Sequence, residues 1–372
     1  MKQTTKCIHS GGYRDPLTRG INTPIFTSSV YEYLDRDNQP YPRYFNTPNH
    51  DAAVNKICAL EGAESGLLFG SGMAAIATTL FTFLKQGEKG IFQDELYGGT
   101  YHLLLQELPR QGIVPVLTAS DADSIIASIE KNTRLVYLES PTNPLLTVID
   151  IEKITKAARE RNILTIIDNT FASPVNQNPI ALGVDLVIHS GTKYLGGHSD
   201  LCCGVVVGSK ALVERIAQSA ICYGGSLGAE DCALLERSLK TLALRVDKQT
   251  TNAMILAEFI EAHDSVNKVY YPGLKAHPGH ETASHQMHGF GAMLSFELYD
   301  CDPVLFQKKL QLITPAMSLG GVESTITQPA TTSHAHLSEQ ERKNMGITDG
   351  LLRLSVGIED ANDLIADLGQ AL

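Results

Sequence analysis

The chain of 372 residues carries a formal net charge of −11 and has no block rich in lysine and arginine, which argues against nucleic acid and anionic membranes as partners. Hydrophobic residues make up 43% of the chain and charged residues 19%, proportions that allow sizeable cores and exclude a largely disordered protein. At roughly 100–200 residues per domain, the length predicts two or three domains.

The seven cysteines are scattered and form no Cys-x-x-Cys pair, so the sequence predicts neither a disulfide framework nor a zinc ribbon. Residues 1–15 lack the apolar centre of a secretory signal, and no apolar stretch approaches the ~18 residues that a membrane span needs. We therefore expect a cytoplasmic protein. Cys202 and Cys203 stand together in an apolar run and are expected to be buried.

The first 48 residues are rich in Thr, Asn, Pro, Tyr and Arg and show weak periodicity, which predicts an extended N-terminal arm. A helix follows, because DAAVNKICALEGA places apolar residues at helical spacing and stops at Gly62. Beyond it, short apolar strands alternate with amphipathic helices. The predicted strands are SGLLFG, KGIFQD, VPVLTA, TRLVYLES, LTIIDNT, DLVIHS and CCGVVVGS, and the helices between them include GMAAIATTLFTFLKQ and DIEKITKAARERN.

The pattern changes near residue 235. LLERSLKTLALRVDKQTTNAMILAEFIEAH predicts one or two long helices, and VNKVYYPGL, GAMLSFELYD and LLRLSVGIED predict strands. We therefore expect an arm over residues 1–48, a large α/β domain over 49–235 and a smaller α+β domain over 236–372. The large domain should have a mostly parallel central sheet with helices on both faces.

Polar residues lie where the predicted strands of the large domain end, which is the edge at which open α/β sheets bind ligands. FGSGMAAI puts a strand, a glycine turn and a helix start in sequence, an arrangement in which main-chain N–H groups and the helix N-terminus attract an anion. It is not a Walker A motif, and Ala75 stands where a dinucleotide fingerprint has its third glycine. Alone, such a motif is more often only a tight turn than a phosphate site.

Asp168 and Lys193 narrow the choice of ligand. Asp168 ends an apolar strand and needs a cationic or hydrogen-bonding partner, either as a helix N-cap or beside a pyridinium nitrogen. Pyridoxal 5'-phosphate (PLP) requires a carboxylate at its ring nitrogen, and Lys193 would form the Schiff base with its aldehyde. Ser190 and Thr192 are placed to hold its phosphate, and Tyr97 to stack on its ring. Together these residues predict a PLP site.

Ordered blocks along nearly the whole chain resemble the Cys/Met-metabolism (trans-sulfuration) family of fold-type I PLP-dependent enzymes. This family includes cystathionine γ-synthase, cystathionine β- and γ-lyases, methionine γ-lyase and homoserine sulfhydrylases. The blocks that carry the resemblance are YPRYFN, SGMAAI, LYGGTY, ESPTNP, DNTF, HSGTKYLGGHSD, YPGL, MSLGGVES and LLRLSVGIED.

The resemblance implies a role for each matching residue. The implied catalytic residues are Lys193, as Schiff-base lysine and proton shuttle, and Tyr97, which stacks on the cofactor ring. The other implied cofactor contacts are the main chain of Gly72 and Met73, Asp168 at the ring nitrogen, Ser190 and Thr192 at the phosphate, and Tyr41 and Arg43 at the phosphate of a neighbouring subunit. Asn143, Ser318 and Arg353 are implied to lie near the substrate carboxylate and the cofactor's phenolic oxygen.

The same resemblance implies a homo-oligomer, with the arm on a neighbouring subunit, active sites shared within dimers, and dimers assembled into a homotetramer. The implied substrate is a small amino acid. His277, His280, His285 and His288 lie close together without a strong ligand motif, and the family uses no metal, so we expect no metal site.

Positions that contact the distal end of the substrate depart from the family pattern. Members that act on cystathionine by γ-chemistry carry an acidic residue before the Tyr-x-Arg pair, an arginine soon after YGGT and a glutamate before SLGG. The matching residues here are Pro40, His102 and Met317. Methionine γ-lyases have a cysteine where this chain has Gly99.

We interpret the chain as a carbon–sulfur lyase that performs α,β- or α,γ-elimination on cystathionine or cysteine-like substrates and releases a keto acid, ammonia and a thiol. The alternatives are a γ-replacement transferase, such as cystathionine γ-synthase or O-acetylhomoserine sulfhydrylase, and a non-catalytic PLP-binding protein.

Overall fold

The computed structural model describes residues 1–35, 39–299, 301–335 and 338–372. The helices in these ranges are α1 (Gln3–His9), α2 (Pro48–Glu61), α3 (Gly72–Phe83), α4 (Gly98–His102), α5 (Leu108–Arg110), α6 (Ala122–Ala127), α7 (Ile151–Arg159), α8 (Ser173–Asn176), α9 (Lys210–Tyr223), α10 (Ala229–Leu239), α11 (Leu242–Glu261), α12 (His280–Gln286), α13 (Pro303–Lys309), α14 (Glu339–Asn344) and α15 (Ala361–Ala371). The strands are β1 (Ser65–Phe69), β2 (Lys89–Gln93), β3 (Val114–Thr118), β4 (Thr133–Glu139), β5 (Leu164–Asp168), β6 (Leu186–Ser190), β7 (Gly204–Gly208), β8 (Val266–Tyr270), β9 (Met293–Leu298), β10 (Thr314–Pro315), β11 (Thr325–Thr327) and β12 (Leu351–Ser355).

The larger sheet has seven strands within the described residues, in the order β1-β7-β6-β5-β4-β2-β3. Strand β7 runs antiparallel to β1 and β6, and the other neighbours are parallel. Its central strands are apolar on both faces and are almost completely buried, because helices cover both sides. The mostly parallel, doubly covered sheet that the sequence predicts is therefore present, and each of the seven predicted strands contains one of its strands.

A smaller sheet in the order β10-β11-β12-β9-β8 contains the three strands predicted after residue 235. Its pairs are antiparallel except for β10 with β11. The long apolar segment before it forms two helices, α10 and α11, separated at Lys240 and Thr241.

Helix boundaries follow local chemistry. Helix α2 ends at Gly62, which adopts the left-handed conformation that favours glycine. Helix α3 begins after Ser71, whose side chain accepts a hydrogen bond from the main-chain N–H of Ala74. The N-terminal segment contains a feature that its composition did not predict, since residues 3–9 form α1.

No helix among the described residues combines the length and the apolar character that crossing a membrane requires.

Candidate active site

A cavity of about 450 Å³ opens at the carboxyl edge of the larger sheet and is bordered on its other side by residues of the smaller sheet and its loops. Ten of the predicted site residues line it, although they are scattered over nearly 300 positions of the chain. They are Gly72, Met73, Tyr97, Asn143, Asp168, Ser190, Thr192, Lys193, Ser318 and Arg353. The volume lies within the range of pockets that hold small organic ligands.

Tyr41 and Arg43 do not line this cavity. Tyr41 directly precedes a short 3-10 turn over residues 42–44, and Arg43 lies within it. The Arg43 guanidinium donates a hydrogen bond to the carbonyl oxygen of Ile221 near the end of α9, at 2.6 Å. The Arg43 guanidinium carbon lies 5.6 Å from the centre of the Tyr41 ring. The structure therefore places this pair away from the other predicted site residues of the same chain.

The start of α3 forms one wall of the cavity. Residues Ser71, Gly72 and Met73 present the first turn of a twelve-residue helix, whose unpaired N–H groups and dipole favour an anion. Gly72 lies against β6, and a Cβ atom added there would stand 3.0 Å from the Cβ of Ser190. A side chain at this position would therefore require the end of β6 to move by a few tenths of an ångström.

Asp168 is buried at the end of β5. One oxygen, Oδ1, accepts hydrogen bonds from the main-chain N–H of Thr170 at 3.0 Å and from the Thr170 hydroxyl. That hydroxyl in turn accepts one from the main-chain N–H of Ser190, at 2.8 Å. The following helix α8 has Ala172 as its N-cap, so Asp168 does not cap it. Thr170 thus holds the Asp168 carboxylate through Oδ1, and Asp168 borders the cavity.

A second carboxylate, Glu139, stands beside Asp168, because the two residues are register partners on β4 and β5. Glu139 is 4% exposed and its Oε2 accepts a hydrogen bond from the main-chain N–H of Tyr97 at 2.9 Å. Burial, followed by the charge of Asp168, raises the pKa of Glu139 well above its ordinary value. Burial also raises the pKa of Asp168, so a cation paired with Asp168 would be needed to favour its ionised form beside a neutral Glu139.

The Lys193 amine lies in a turn directly after β6 and donates a hydrogen bond to the Ser318 hydroxyl at 2.8 Å. Burial lowers the pKa of Lys193, and the nearby positive charge of Arg353 lowers it further. Both effects increase the neutral fraction of the amine, the form that acts as nucleophile and base.

Arg353 is 5% exposed and crosses from β12 to the loops of the larger sheet. Its guanidinium donates to the Asn143 side-chain oxygen at 2.7 Å and to the Ser318 carbonyl oxygen at 3.3 Å. Burial lowers the pKa of Arg353 to about 10. No carboxylate among the described residues forms an ion pair with it, so the cavity holds a buried cation that is suited to an anionic ligand.

Helix α11 supports the loops that surround the cavity. Arg245, Gln249 and Asn252 follow one face of the helix at positions i, i+4 and i+7, and all are buried. Their side chains donate to carbonyl oxygens of three different loops, at Tyr194 (2.8 Å), at Gly321 (2.7 Å), and at Gly357 (3.1 Å) and Glu359 (2.8 Å). The first loop carries Lys193 and the second carries Ser318.

The structure adds lining residues that the sequence analysis did not select, and it corrects one expectation. Glu139 and Thr327 line the cavity, as does Cys202. The expectation that Cys202 and Cys203 are both buried is wrong for Cys202, which is exposed, whereas Cys203 packs inside. Both residues precede the first residue of β7, and their apolar neighbours in sequence did not reveal that only the second is buried. The sequence could have indicated Glu139, because it is an acidic residue at the end of an apolar strand. No feature of the sequence indicated Thr327.

Within the described ranges, no group of three or more His, Cys, Asp or Glu residues is arranged to hold a metal ion. Two of the clustered histidines make local main-chain contacts instead. His277 accepts a hydrogen bond from the N–H of Gly279, and His280 bonds the carbonyl oxygen of Pro272.

The residues around the cavity fit PLP. A helix N-terminus with a neighbouring hydroxyl suits a phosphate, and an amine of lowered pKa suits an aldehyde. A buried carboxylate with one oxygen to which no described residue donates suits a protonated ring nitrogen. The aromatic ring of Tyr97 borders the same space. The buried guanidinium of Arg353 is suited to bind the carboxylate of an amino acid.

Comparison with known proteins agrees with this chemistry. A family model described as Cys/Met metabolism PLP-dependent enzyme matches residues 4–372. Cystathionine beta-lyase of Lactococcus lactis subsp. cremoris (strain MG1363) is 44% identical over 375 residues, covering 99% of this chain and 98% of the relative. Cystathionine gamma-lyase of Bacillus subtilis (strain 168) is 42% identical over 377 residues, covering 100% of this chain and 99% of the relative.

Among solved structures, cystathionine gamma-lyase from Lactobacillus plantarum complexed with L-serine matches with a TM-score of 0.97 and 40% identity, covering 100% of this chain and 98% of that chain. The agreement over the full length confirms the predicted fold-type I architecture.

Proposed function

We propose that this chain, which belongs to the Cys/Met metabolism family of PLP-dependent enzymes, is a carbon–sulfur lyase that cleaves cystathionine or cysteine-like amino acids. The relatives named above are cystathionine β- and γ-lyases, which supports this activity. The observation that carries the proposal is the Lys193 amine held beside the buried Arg353 guanidinium, in one cavity with Asp168. This combination brings a base and a carboxylate-binding group together at a PLP site.

Different residues around the cavity would have different roles in the elimination reaction. When bound, PLP supplies an electron sink for the negative charge left on a substrate carbon that loses its proton. Asp168 would hold a proton at the ring nitrogen, and Tyr97 would lie against the ring. The Lys193 amine would bind the cofactor and accept the proton from the substrate α-carbon. Its lowered pKa supports both roles, because both need a neutral amine.

Binding groups surround this centre. The main-chain N–H groups of Gly72 and Met73, with the Ser190 hydroxyl, would hold the phosphate. Thr192 borders the same space, although its hydroxyl donates to the carbonyl oxygen of Cys203 at 3.2 Å and accepts from the Cys203 N–H at 3.0 Å. Asn143, Ser318 and Arg353 orient the substrate carboxylate and the phenolic oxygen of PLP. Support comes from the hydrogen bonds that connect Arg353 to Asn143 and Ser318, since they fix the guanidinium at the cavity.

The distal end of the substrate meets few charged groups. Met317 borders the cavity and is 73% exposed, and it occupies the position at which γ-acting relatives carry a glutamate. The sulfur-bearing end of a cysteine-like substrate would therefore meet an apolar side chain at this position. This feature supports elimination from cysteine-like substrates over replacement reactions that need a polar anchor here.

Incubation of the PLP-loaded protein with cystathionine tests the function. β-Elimination yields pyruvate, ammonia and homocysteine, whereas γ-elimination yields 2-oxobutyrate, ammonia and cysteine. A γ-replacement transferase would instead need O-acetylhomoserine or a similar activated homoserine with a thiol, and would form a thioether without net release of keto acid. Release of neither keto acid from cystathionine or cysteine would contradict the lyase proposal.

We also propose that the chain works as a homotetramer built from dimers with shared sites. The N-terminal arm exposes large apolar side chains, with Leu17 90%, Ile21 85% and Val30 83% exposed, which supports packing against another subunit. Tyr41 and Arg43 stand outside their own cavity, which supports a role at the phosphate of a neighbour.

Complementation tests the sharing of sites. Arg43→Ala and Lys193→Ala chains, each nearly inactive alone, should recover activity when co-expressed, since one site of each mixed dimer draws a native lysine and a native arginine. Verified mixed dimers without activity would place Arg43 in the site of its own chain.

The division into an arm (1–48), a large PLP-binding domain (49–235) and a smaller C-terminal domain (236–372) is part of the same proposal. It is supported by the separation of the two sheets, whose described strands lie on opposite sides of residue 235. We propose a cytoplasmic location, supported by seven cysteines without a disulfide among them.

A further inference from the structure

The wall of the cavity formed by the smaller sheet contains two buried polar groups without a hydrogen-bond partner among the described residues, the Thr327 hydroxyl and the Nε–H of Arg353. Each of these residues is only 5% exposed. A buried donor or acceptor without a partner is unfavourable, so both groups would gain from a ligand that supplies one.

The two groups are neighbours. Thr327 on β11 and Arg353 on β12 are direct partners in an antiparallel pair, so their side chains project from the same face of the sheet with Cβ atoms about 4.5–5.5 Å apart. Both residues line the cavity. Two of the five N–H groups of Arg353 already donate to Asn143 and Ser318, and the Nε–H has no partner among the described residues.

Other hydroxyls near Thr327 are already engaged. The Thr332 hydroxyl donates to the carbonyl oxygen of Gln328 at 2.8 Å, and the Ser333 hydroxyl lies 2.9 Å from a ring nitrogen of His334. Among the described residues, the Thr327 hydroxyl is therefore a buried group on this wall that has no protein partner and is available to a ligand.

We propose that the Thr327 hydroxyl binds the substrate carboxylate together with Arg353. A carboxylate has two oxygens, each of which accepts hydrogen bonds, and an unpaired N–H beside an unpaired O–H offers two donors. Thr327 thus contributes to affinity for α-amino acids that retain a carboxylate, and the inference rests on the proposed function of the cavity.

Thr327→Val tests this assignment, because valine has the shape of threonine without its hydroxyl. The probes are glycine, which has a carboxylate but no leaving group, and methylamine, which has the amine alone. Equilibrium binding of both to PLP-loaded protein is followed by the change in visible absorbance. Thr327→Val should weaken glycine binding about tenfold, as expected for loss of a hydrogen bond to a charged group, and should leave methylamine binding unchanged. The KM for the cleaved substrate should rise by a similar factor while kcat is retained.

Two control variants separate the hydroxyl from its surroundings. Thr327→Ser keeps the hydroxyl and should restore glycine binding. Thr325→Val makes the same substitution two residues earlier on β11, at a position that does not line the cavity, and should bind glycine like the unaltered protein.

Three results would overturn the inference. They are unchanged glycine binding in Thr327→Val, equal weakening of glycine and methylamine, and an unaltered protein that binds glycine no better than methylamine. Because glycine undergoes no elimination, these measurements do not depend on turnover. A protein that binds glycine through Thr327 yet releases no keto acid would refute the lyase function and leave the Thr327 assignment intact.

Discussion

Replacing Arg245 by methionine tests whether α11 holds the loop that carries Lys193. Arg245 is 4% exposed and donates to the carbonyl oxygens of Tyr194 (2.8 Å) and Ser238 (3.0 Å) and to the Thr241 hydroxyl (3.2 Å). Methionine preserves the apolar part of the side chain and removes all three donors. The Ser238 carbonyl keeps hydrogen bonds from Thr241, whereas no other described residue donates to the Tyr194 carbonyl.

The expected loss of stability is the cost of that single unpaired carbonyl, about 1–3 kcal/mol. It is not larger, because the buried guanidinium is itself unfavourable. Burial lowers the pKa of Arg245 to about 10, and no carboxylate among the described residues pairs with it. The greater effect should fall on catalysis, since the freed carbonyl belongs to the residue directly after Lys193. A displacement of the amine by an ångström lowers kcat by up to roughly a hundredfold.

The assay compares the urea midpoint, followed by circular dichroism, with kcat and KM for the same samples. Arg237→Met is the matched control, because Arg237 is exposed on the neighbouring helix α10 and should tolerate the change. Arg245→Lys retains the charge without the forked geometry and should fall between the two. If Arg245→Met kept both its urea midpoint and its kcat, the anchoring role of α11 would be refuted.

Three further perturbations address other parts of the site and the core. Asp168→Asn should retain the circular dichroism spectrum and lose most of kcat, because an amide does not hold a proton on the ring nitrogen; near-normal turnover would reduce Asp168 to a structural role. Lys193→Ala should abolish turnover and still retain PLP during gel filtration, since the phosphate cradle is intact, and loss of PLP from the variant would contradict that cradle. Burial lowers the pKa values of His50 and His277 from 6.5 to about 4. Between pH 6.5 and pH 4 the unfolded chain therefore binds more protons than the folded protein, and the free energy of unfolding decreases as the pH falls. The decrease is up to roughly 3 kcal/mol for each histidine. The urea midpoint at pH 7 and pH 5 measures this loss, which should shrink when both are replaced by glutamine; a midpoint independent of pH in the unaltered protein would contradict it.

The elements around the cavity were largely predictable from local sequence. The apolar strand LTIIDNT became β5 with Asp168 at its end, and DLVIHS became β6 directly before Lys193. Such segments are predictable because a fully buried strand needs a continuous apolar run, and its end is marked by the first polar residues. Since parallel strands end at one edge of their sheet, it also followed that Asp168 and Lys193 would be near each other.

Contacts between distant segments were not predictable in this way. Asn143 and Arg353 are separated by 210 positions and meet at 2.7 Å, a contact that local periodicity does not encode. Their assignment to the substrate carboxylate was inferred from the resemblance to a family. The same limit applied to Cys202, whose apolar neighbours indicated burial although the side chain borders the cavity.

The sequence by itself determined the class of sheet, the residue types at its carboxyl edge and, from them, the cofactor, because these depend on the order of residues along short segments. Only the tertiary structure decided that Thr327 stands beside Arg353 with an unpaired hydroxyl, that Glu139 lies against Asp168, and that α11 holds the lysine loop. The physical reason is that strand register, burial and the supply of hydrogen-bond partners are set by packing between segments far apart in the chain. A threonine or a glutamate therefore acquires its environment, and with it its chemistry, when the two sheets and α11 come together.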